Sequence, residues 1–139
     1  MIVKSDEESS AMSAAKAVFV LVHGGWHYHS AWDKVTPLLE ANGFAALTLD
    51  LPGAGVNAIA PTSLGVRPFD PAAFAAERSP IAGVTQAERT QAVVALVREA
   101  ASLSDGKVIL VGHSAGGMTI SFVSDPWRNR ARKRCSLHT

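Results

Sequence analysis

The chain has a single cysteine, Cys135, so no disulfide forms within it, and a reducing cytoplasm is the expected compartment. It also lacks long hydrophobic runs. The longest, Ala17–Val22 and Ala92–Val97, are six residues each, well below the ~20 that cross a bilayer, and no membrane association is expected. The first residues, Met1-Ile2-Val3-Lys4-Ser5-Asp6-Glu7-Glu8, do not carry the apolar stretch of a signal peptide. Net charge is nearly absent as well: 13 Lys and Arg stand against 12 Asp and Glu. That total conceals an asymmetry. Residues 1–124 carry an acidic excess, whereas residues 125–139 hold Arg128, Arg130, Arg132, Lys133 and Arg134 against Asp125 alone. An unstructured end with five cations gives only salt-sensitive, unspecific binding, so no nucleic-acid partner is expected.

What is present suits one globular domain: 47% of the 139 residues are hydrophobic. Residues 1–16 are polar or small and read as a disordered leader. Val18–Val22 is β-branched and aromatic and stops at Gly24-Gly25, the pattern of a strand buried on both faces of a parallel sheet. Ser30 is a candidate cap for a helix over 31–42 that restarts at Thr36 because of Pro37, with Gly43 as its left-handed terminator. Phe44–Leu49 reads as a second strand ending at Asp50. Residues 51–84 hold five of the seven prolines, and a loop of that length is functional or mobile. Within it Asp70 and Pro71 open a short helix through Glu77. Thr85 and Glu88 form a capping box for a helix through Ala101. Lys107–Val111 is a third strand and Ala115–Ser124 a further helix. Strands alternating with helices give an α/β fold with parallel strands.

The chemistry is carried by Gly112-His113-Ser114-Ala115-Gly116, which follows a buried strand and opens a helix. This is the context required of a nucleophile elbow. A Cβ at 112 or 116 is expected to collide with the neighbouring strand or helix, and Ser114 to be held in a strained backbone conformation. The helix from Ala115 points unpaired N–H groups above the hydroxyl. A second element, His23-Gly24-Gly25-Trp26, follows the first strand, and the amides of Gly25 and Ala115 together suit a developing oxyanion. Trp26, His27, Tyr28 and Phe69 are candidates for lining the site, as are Gly24 and His23, the latter either a hydrogen-bonded turn residue or part of the cleft floor.

Three stretches, Val18–Trp32, Leu49–Gly55 and Lys107–Met118, resemble the α/β-hydrolase superfamily, specifically its small esterase branch of methylesterases, hydroxynitrile lyases and related bacterial esterases. The resemblance spans about residues 17–124. It implies Ser114 as nucleophile, Gly25 and Ala115 as oxyanion donors, carboxylic esters as substrates, and neither metal nor organic cofactor.

The superfamily places its catalytic acid and histidine after the elbow, yet residues 125–139 do not read as a strand. The expected architecture is therefore the N-terminal half of an α/β-hydrolase fold: three parallel strands with flanking helices over 17–124, followed by an aberrant basic tail of the kind a truncation or frameshift produces. Asp125 and His138 stand in the right order for a triad, but Asp125 lies about 15 Å along the helix from Ser114. His113 is expected as a packed neighbour of the elbow, pointing away from the hydroxyl. His23, His27 and His29 span a turn and lack a fourth ligand, which argues against a metal. Gly53-Ala54-Gly55 lacks the third glycine of a dinucleotide loop. On this reading the chain alone is inactive; the alternative is a non-catalytic product or a fragment needing a second chain. The third strand, left without an outer neighbour, is a template for self-association.

Overall fold

A computed structural model describes residues 16–135, with side chains up to residue 126. The short apolar run Val18–Val22 forms strand β1 at the centre of a three-stranded parallel sheet. β2 (Ala46–Thr48) lies on one side, in register Phe19 to Ala46 and Leu21 to Thr48. β3 (Val108–Gly112) lies on the other, with Val18 opposite Val108 and Val22 opposite Gly112. The order β2-β1-β3 puts the ends of β1 and β3 side by side. The turns after those two strands thus open at the same edge, where ligands of parallel α/β sheets gather.

Val18, Val20 and Val22 pack in one cluster with Val93, Val97 and Ala100 of α3 (Gln86–Leu103), Val123 of α4 (Ala115–Cys135), and Leu51. Burying each of these valines contributes about 1.5–3 kcal/mol, enough to seat both helices on the sheet. On the other face Leu21 is buried, and Phe19 meets Phe44 edge to face with ring centroids 5.4 Å apart. β1 is therefore covered on both sides, as its composition suggests. Among the described residues β3 pairs with β1 alone, and its Ile109 is 40% exposed.

Local signals produce the helices. Thr85 accepts from the Glu88 N–H while the Glu88 carboxylate accepts from the Thr85 N–H, so the capping box opens α3. Asp70 accepts from the amides of Ala72 and Ala73 and opens α2 (Pro71–Ala76). α1 (Thr36–Ala41) begins at the expected restart with Pro37 in its first turn, and Gly43 ends it at φ +76°. The stretch before it differs from the single capped helix over 31–42. Residues His29–Trp32 form a 3-10 turn, and Ser30 does not cap it.

β2 is shorter than Phe44–Leu49 because the Phe44 N–H donates back to the Leu39 carbonyl, closing the end of α1 and delaying the strand. Residues 51–84 are better organised than an open loop. They contain 3-10 turns at Gly55–Asn57 and Thr62–Gly65, and the Glu77 carboxylate accepts from the amides of Thr62 and Ser63, each at 2.8 Å. Those donors, the Ser63 contacts foremost, hold the Glu77 carboxyl below its ordinary range.

The last helix also departs from expectation. α4 does not stop at Ser124 but continues to Cys135 with Pro126 inside it, so the boundary drawn at 124 falls within one helix. No described helix is long and apolar enough to cross a membrane.

Candidate active site

The elbow is built by steric exclusion. A Cβ on Gly116 would stand 2.5 Å from the His23 carbonyl oxygen and closer still to that of Val22. One on Gly112 would stand 2.6 Å from the Gly116 oxygen. Only glycine lets α4 start this close to β1. The turn leaves Ser114 at φ +52°, a left-handed conformation that a non-glycine residue adopts at a cost of about 1–3 kcal/mol. Its side chain is exposed. In the first turn of α4, Gly116 donates to the His113 carbonyl and Gly117 to that of Ser114, both at 2.8 Å. The Ala115 N–H donates to no described group.

The turn after β1 lies against this elbow: a Cβ on Gly24 would stand 2.8 Å from His113 Nδ1 and 3.1 Å from Ser114 Cβ. The Gly25 N–H is also uncommitted among the described residues. Trp26 adopts φ +65° with its indole fully exposed. The turn is pinned at both ends to the segment after β2. At its start His23 is 1% exposed; its Nε2 accepts from the Leu51 N–H at 3.0 Å, so the ring proton sits on Nδ1, which donates to the Gly24 carbonyl at 2.8 Å. At its end Asp50 Oδ1 accepts from the His29 N–H (2.7 Å) and from His29 Nδ1 (2.9 Å), while Oδ2 accepts from Val56 N–H (2.9 Å). The Asp50 side chain is only 4% exposed. Burial pushes its pKa up, but the N–H donors of Val56 and His29 and the His29 ring outweigh that and hold it below the ordinary carboxylate range.

Asp50 is the residue that sequence reasoning treated only as the end of a strand. No local pattern in the chain marks it: Gly55 sits at φ +53°, where a Cβ would fall onto the carboxylate, and that pairing exists only in the fold.

Between these turns lies a cleft of about 440 Å³, large enough for a small organic molecule. His23, Gly24, Gly25, Trp26, His27, Tyr28 and Ala115 all line it, as do Leu51, Ile81, Gln86, Arg89 and Met118. Phe69, expected there, does not. It packs at a tilt against Phe74 of α2 with ring centroids 5.7 Å apart. His113 is not packed but exposed, its ring edge-on to His27 at 5.5 Å, because the sharp turn leaves it outside the helix rather than beneath it. The histidines after β1 diverge: His27 Nδ1 donates to the Gly25 carbonyl at 2.8 Å, His29 faces Asp50, and both ring nitrogens of His23 are used. Among the described residues no side chain is hydrogen-bonded to Ser114. His138 lies outside the described residues.

A family model described as "Alpha/beta hydrolase family" matches residues 19–135. The chain belongs to the α/β-hydrolase family. Within that family its matches lie in the methylesterase-like branch. "Methylesterase 2" of Arabidopsis thaliana is 34% identical over 116 residues, covering 83% of this chain and 36% of that protein. "Salicylic acid-binding protein 2" of Nicotiana tabacum is 32% identical over 109 residues, covering 78% and 34%. A solved α/β-hydrolase is described as extracellular, from a Paenibacillus species, with structural and functional homology to the tobacco protein. It superposes with a TM-score of 0.54 at 28% identity, over 78% of this chain and 35% of its own. The chain thus spans about a third of the length of the curated relatives it matches. The three-stranded sheet with its helices is the corresponding part of the α/β-hydrolase fold.

Proposed function

We propose that the chain carries the nucleophile and oxyanion elements of an esterase of the serine-hydrolase type. Ser114 Oγ attacks the carbonyl carbon of a carboxylic ester, the carbonyl oxygen becomes an oxyanion held by the N–H groups of Gly25 and Ala115, and the alcohol leaves with a proton. Water then releases the acid from the acyl-enzyme, restoring the serine. The observation that carries this reading is the elbow itself: a strained, exposed serine packed against the turn at Gly24, with the Gly25 and Ala115 N–H groups uncommitted among the described residues and both residues lining one cleft. The names of the relatives, methylesterases among them, point to methyl esters as the substrate class.

A serine hydroxyl needs a base to take its proton, and no described residue is hydrogen-bonded to this one. On this reading the base comes from outside the described residues. Oxyanion stabilisation without a base leaves roughly 10³–10⁴ over water. Among the described residues no histidine is hydrogen-bonded to Ser114, an observation that also fits a second reading, a non-catalytic product or a fragment that works only with another chain.

A fluorophosphonate probe tests both. Labelling that maps to Ser114 by mass spectrometry and disappears in Ser114→Ala is the expected result. A folded chain, verified by circular dichroism, that takes no label even on long incubation would refute the esterase reading and leave the second.

A further inference from the structure

Among the residues lining the cleft, Arg89 alone carries a permanent charge. It stands half-buried near the start of α3, and its position relative to the elbow is constrained. Gln86, three residues earlier and on the same helix face, donates from Nε2 to Thr119 Oγ1 at 3.1 Å. Thr119 Oγ1 in turn donates to the Ala115 carbonyl at 3.2 Å. The first turn of α3 is thereby tied to the first turn of α4, directly behind the Ala115 amide.

The acids around the cleft are already engaged. Glu88 Oε2 accepts from the Thr85 N–H at 2.7 Å and from the Thr85 hydroxyl at 2.8 Å, and the Asp50 carboxylate is filled by His29 and Val56. Among the described residues the Arg89 guanidinium has neither a hydrogen-bond acceptor nor an ion-pair partner. The neighbouring lining is largely apolar, with Leu51, Ile81 and Met118. The neighbouring Glu88 carboxylate feels the charge of Arg89 but forms no ion pair with it, so the guanidinium N–H groups stay open toward the cleft, and their planar fork matches a carboxylate.

We propose that Arg89 is a substrate-recognition residue that selects esters bearing a second, free carboxylate: monoesters of dicarboxylic acids, with the ester carbonyl at Ser114 and the carboxylate on the guanidinium. This rests on the reading of the cleft as an ester site and adds the chemical class of its substrate. Nothing in it requires the catalytic base, because recognition is read from binding.

The test is an NMR titration of the full 139-residue chain, following the Ala115 amide and the Arg89 side-chain N–H. The probes are monomethyl glutarate and monomethyl adipate, each set against its dimethyl ester. The expected result is monoester binding about tenfold tighter than diester, a preference that weakens with added salt. Arg89→Gln should bring the ratio to about one, and Arg89→Lys, a point charge without the fork, should keep part of it. Equal affinities in the parent chain, a ratio that survives Arg89→Gln, or no shift from either ester at its solubility limit overturns the proposal.

Fluorophosphonate labelling of the same samples separates this outcome from the esterase reading. Labelled Ser114 with no anion preference leaves the esterase standing and removes Arg89. Anion preference without labelling leaves the carboxylate site and removes the nucleophile.

Discussion

Gly116→Ala and Gly117→Ala are adjacent substitutions in one helix, and the structure gives them opposite signs. Each replaces a helical glycine and recovers about 0.5–1 kcal/mol of backbone entropy and propensity. At 117 the new methyl finds the Gly112 oxygen at 3.6 Å, an ordinary contact, so the gain remains. At 116 it meets the carbonyl oxygens of Val22 and His23 at 2.5 Å or less. Both belong to backbone at the buried end of β1, and the Val22 oxygen is held by the His113 N–H at 3.0 Å. Nothing at that contact is a flexible side-chain tip. The overpacking cost is therefore at the upper end of the usual range, about 3 kcal/mol.

The two variants should differ by about 3 kcal/mol. With a urea dependence of about 1–3 kcal/mol per molar for a small domain, their midpoints fall about 1.5 M apart, Gly117→Ala being the higher. Urea titrations followed by circular dichroism measure this. Fluorophosphonate labelling in native buffer adds the local readout, since moving α4 off β1 displaces the Ala115 amide. Coincident midpoints, or Gly117→Ala as the weaker protein, would show that α4 does not approach β1 as closely as the elbow geometry requires.

Other perturbations test the anchors of the site. His23→Phe removes the acceptor of the Leu51 N–H inside the protein. It should cost about 1–3 kcal/mol and speed hydrogen exchange at the Leu51 amide, and unchanged exchange would count against the cross-link. Asp50 has a folded pKa below its ordinary value, so its stabilisation is fully present above the unfolded pKa of about 4. It is lost as pH falls through the folded value. Urea midpoints should thus decline below about pH 4, and Asp50→Asn should flatten part of that decline, the remainder coming from Glu77 and Glu88, which shift in the same direction. Thr85→Ala breaks the capping box and should cost about 1 kcal/mol, measured by thermal unfolding. A neutral result would mean that α3 is held by its packing on β1 and α4 rather than by its cap.

The legible features share one property: each is decided within about one turn of chain. The capping box Thr85–Glu88, the Asp70-Pro71 helix start and the Gly43 terminator act through neighbouring backbone groups, and all three are found in place. The five apolar residues of β1 announced burial on both faces, because a strand that alternates would expose one of them. The Gly-x-Ser-x-Gly spacing is enough to expect a strained backbone at Ser114 and two positions without room for a Cβ; that the strain takes the left-handed form is read from the structure. Residues 125–135 show the limit of such local signs: the Arg-rich composition after 124 reads as a break, but α4 carries through it, Pro126 included.

What only the tertiary structure decided is which distant residues meet. Asp50 and His29 are 21 positions apart, His23 and Leu51 are 28, and Gln86 and Thr119 are 33. A carboxylate buried among N–H donors and one left in water are spelled alike. Likewise, the outward His113, the departure of Phe69 to Phe74 and the arrival of Arg89 at the cleft follow from how the sheet edge, α3 and α4 are placed. The sequence by itself determined the elbow, the caps and the strand pattern, because backbone sterics and nearest-neighbour hydrogen bonds act over a few residues. The cleft's walls, its charge and the cross-links that hold its turns were settled by packing, which brings together groups that no spacing in the chain relates.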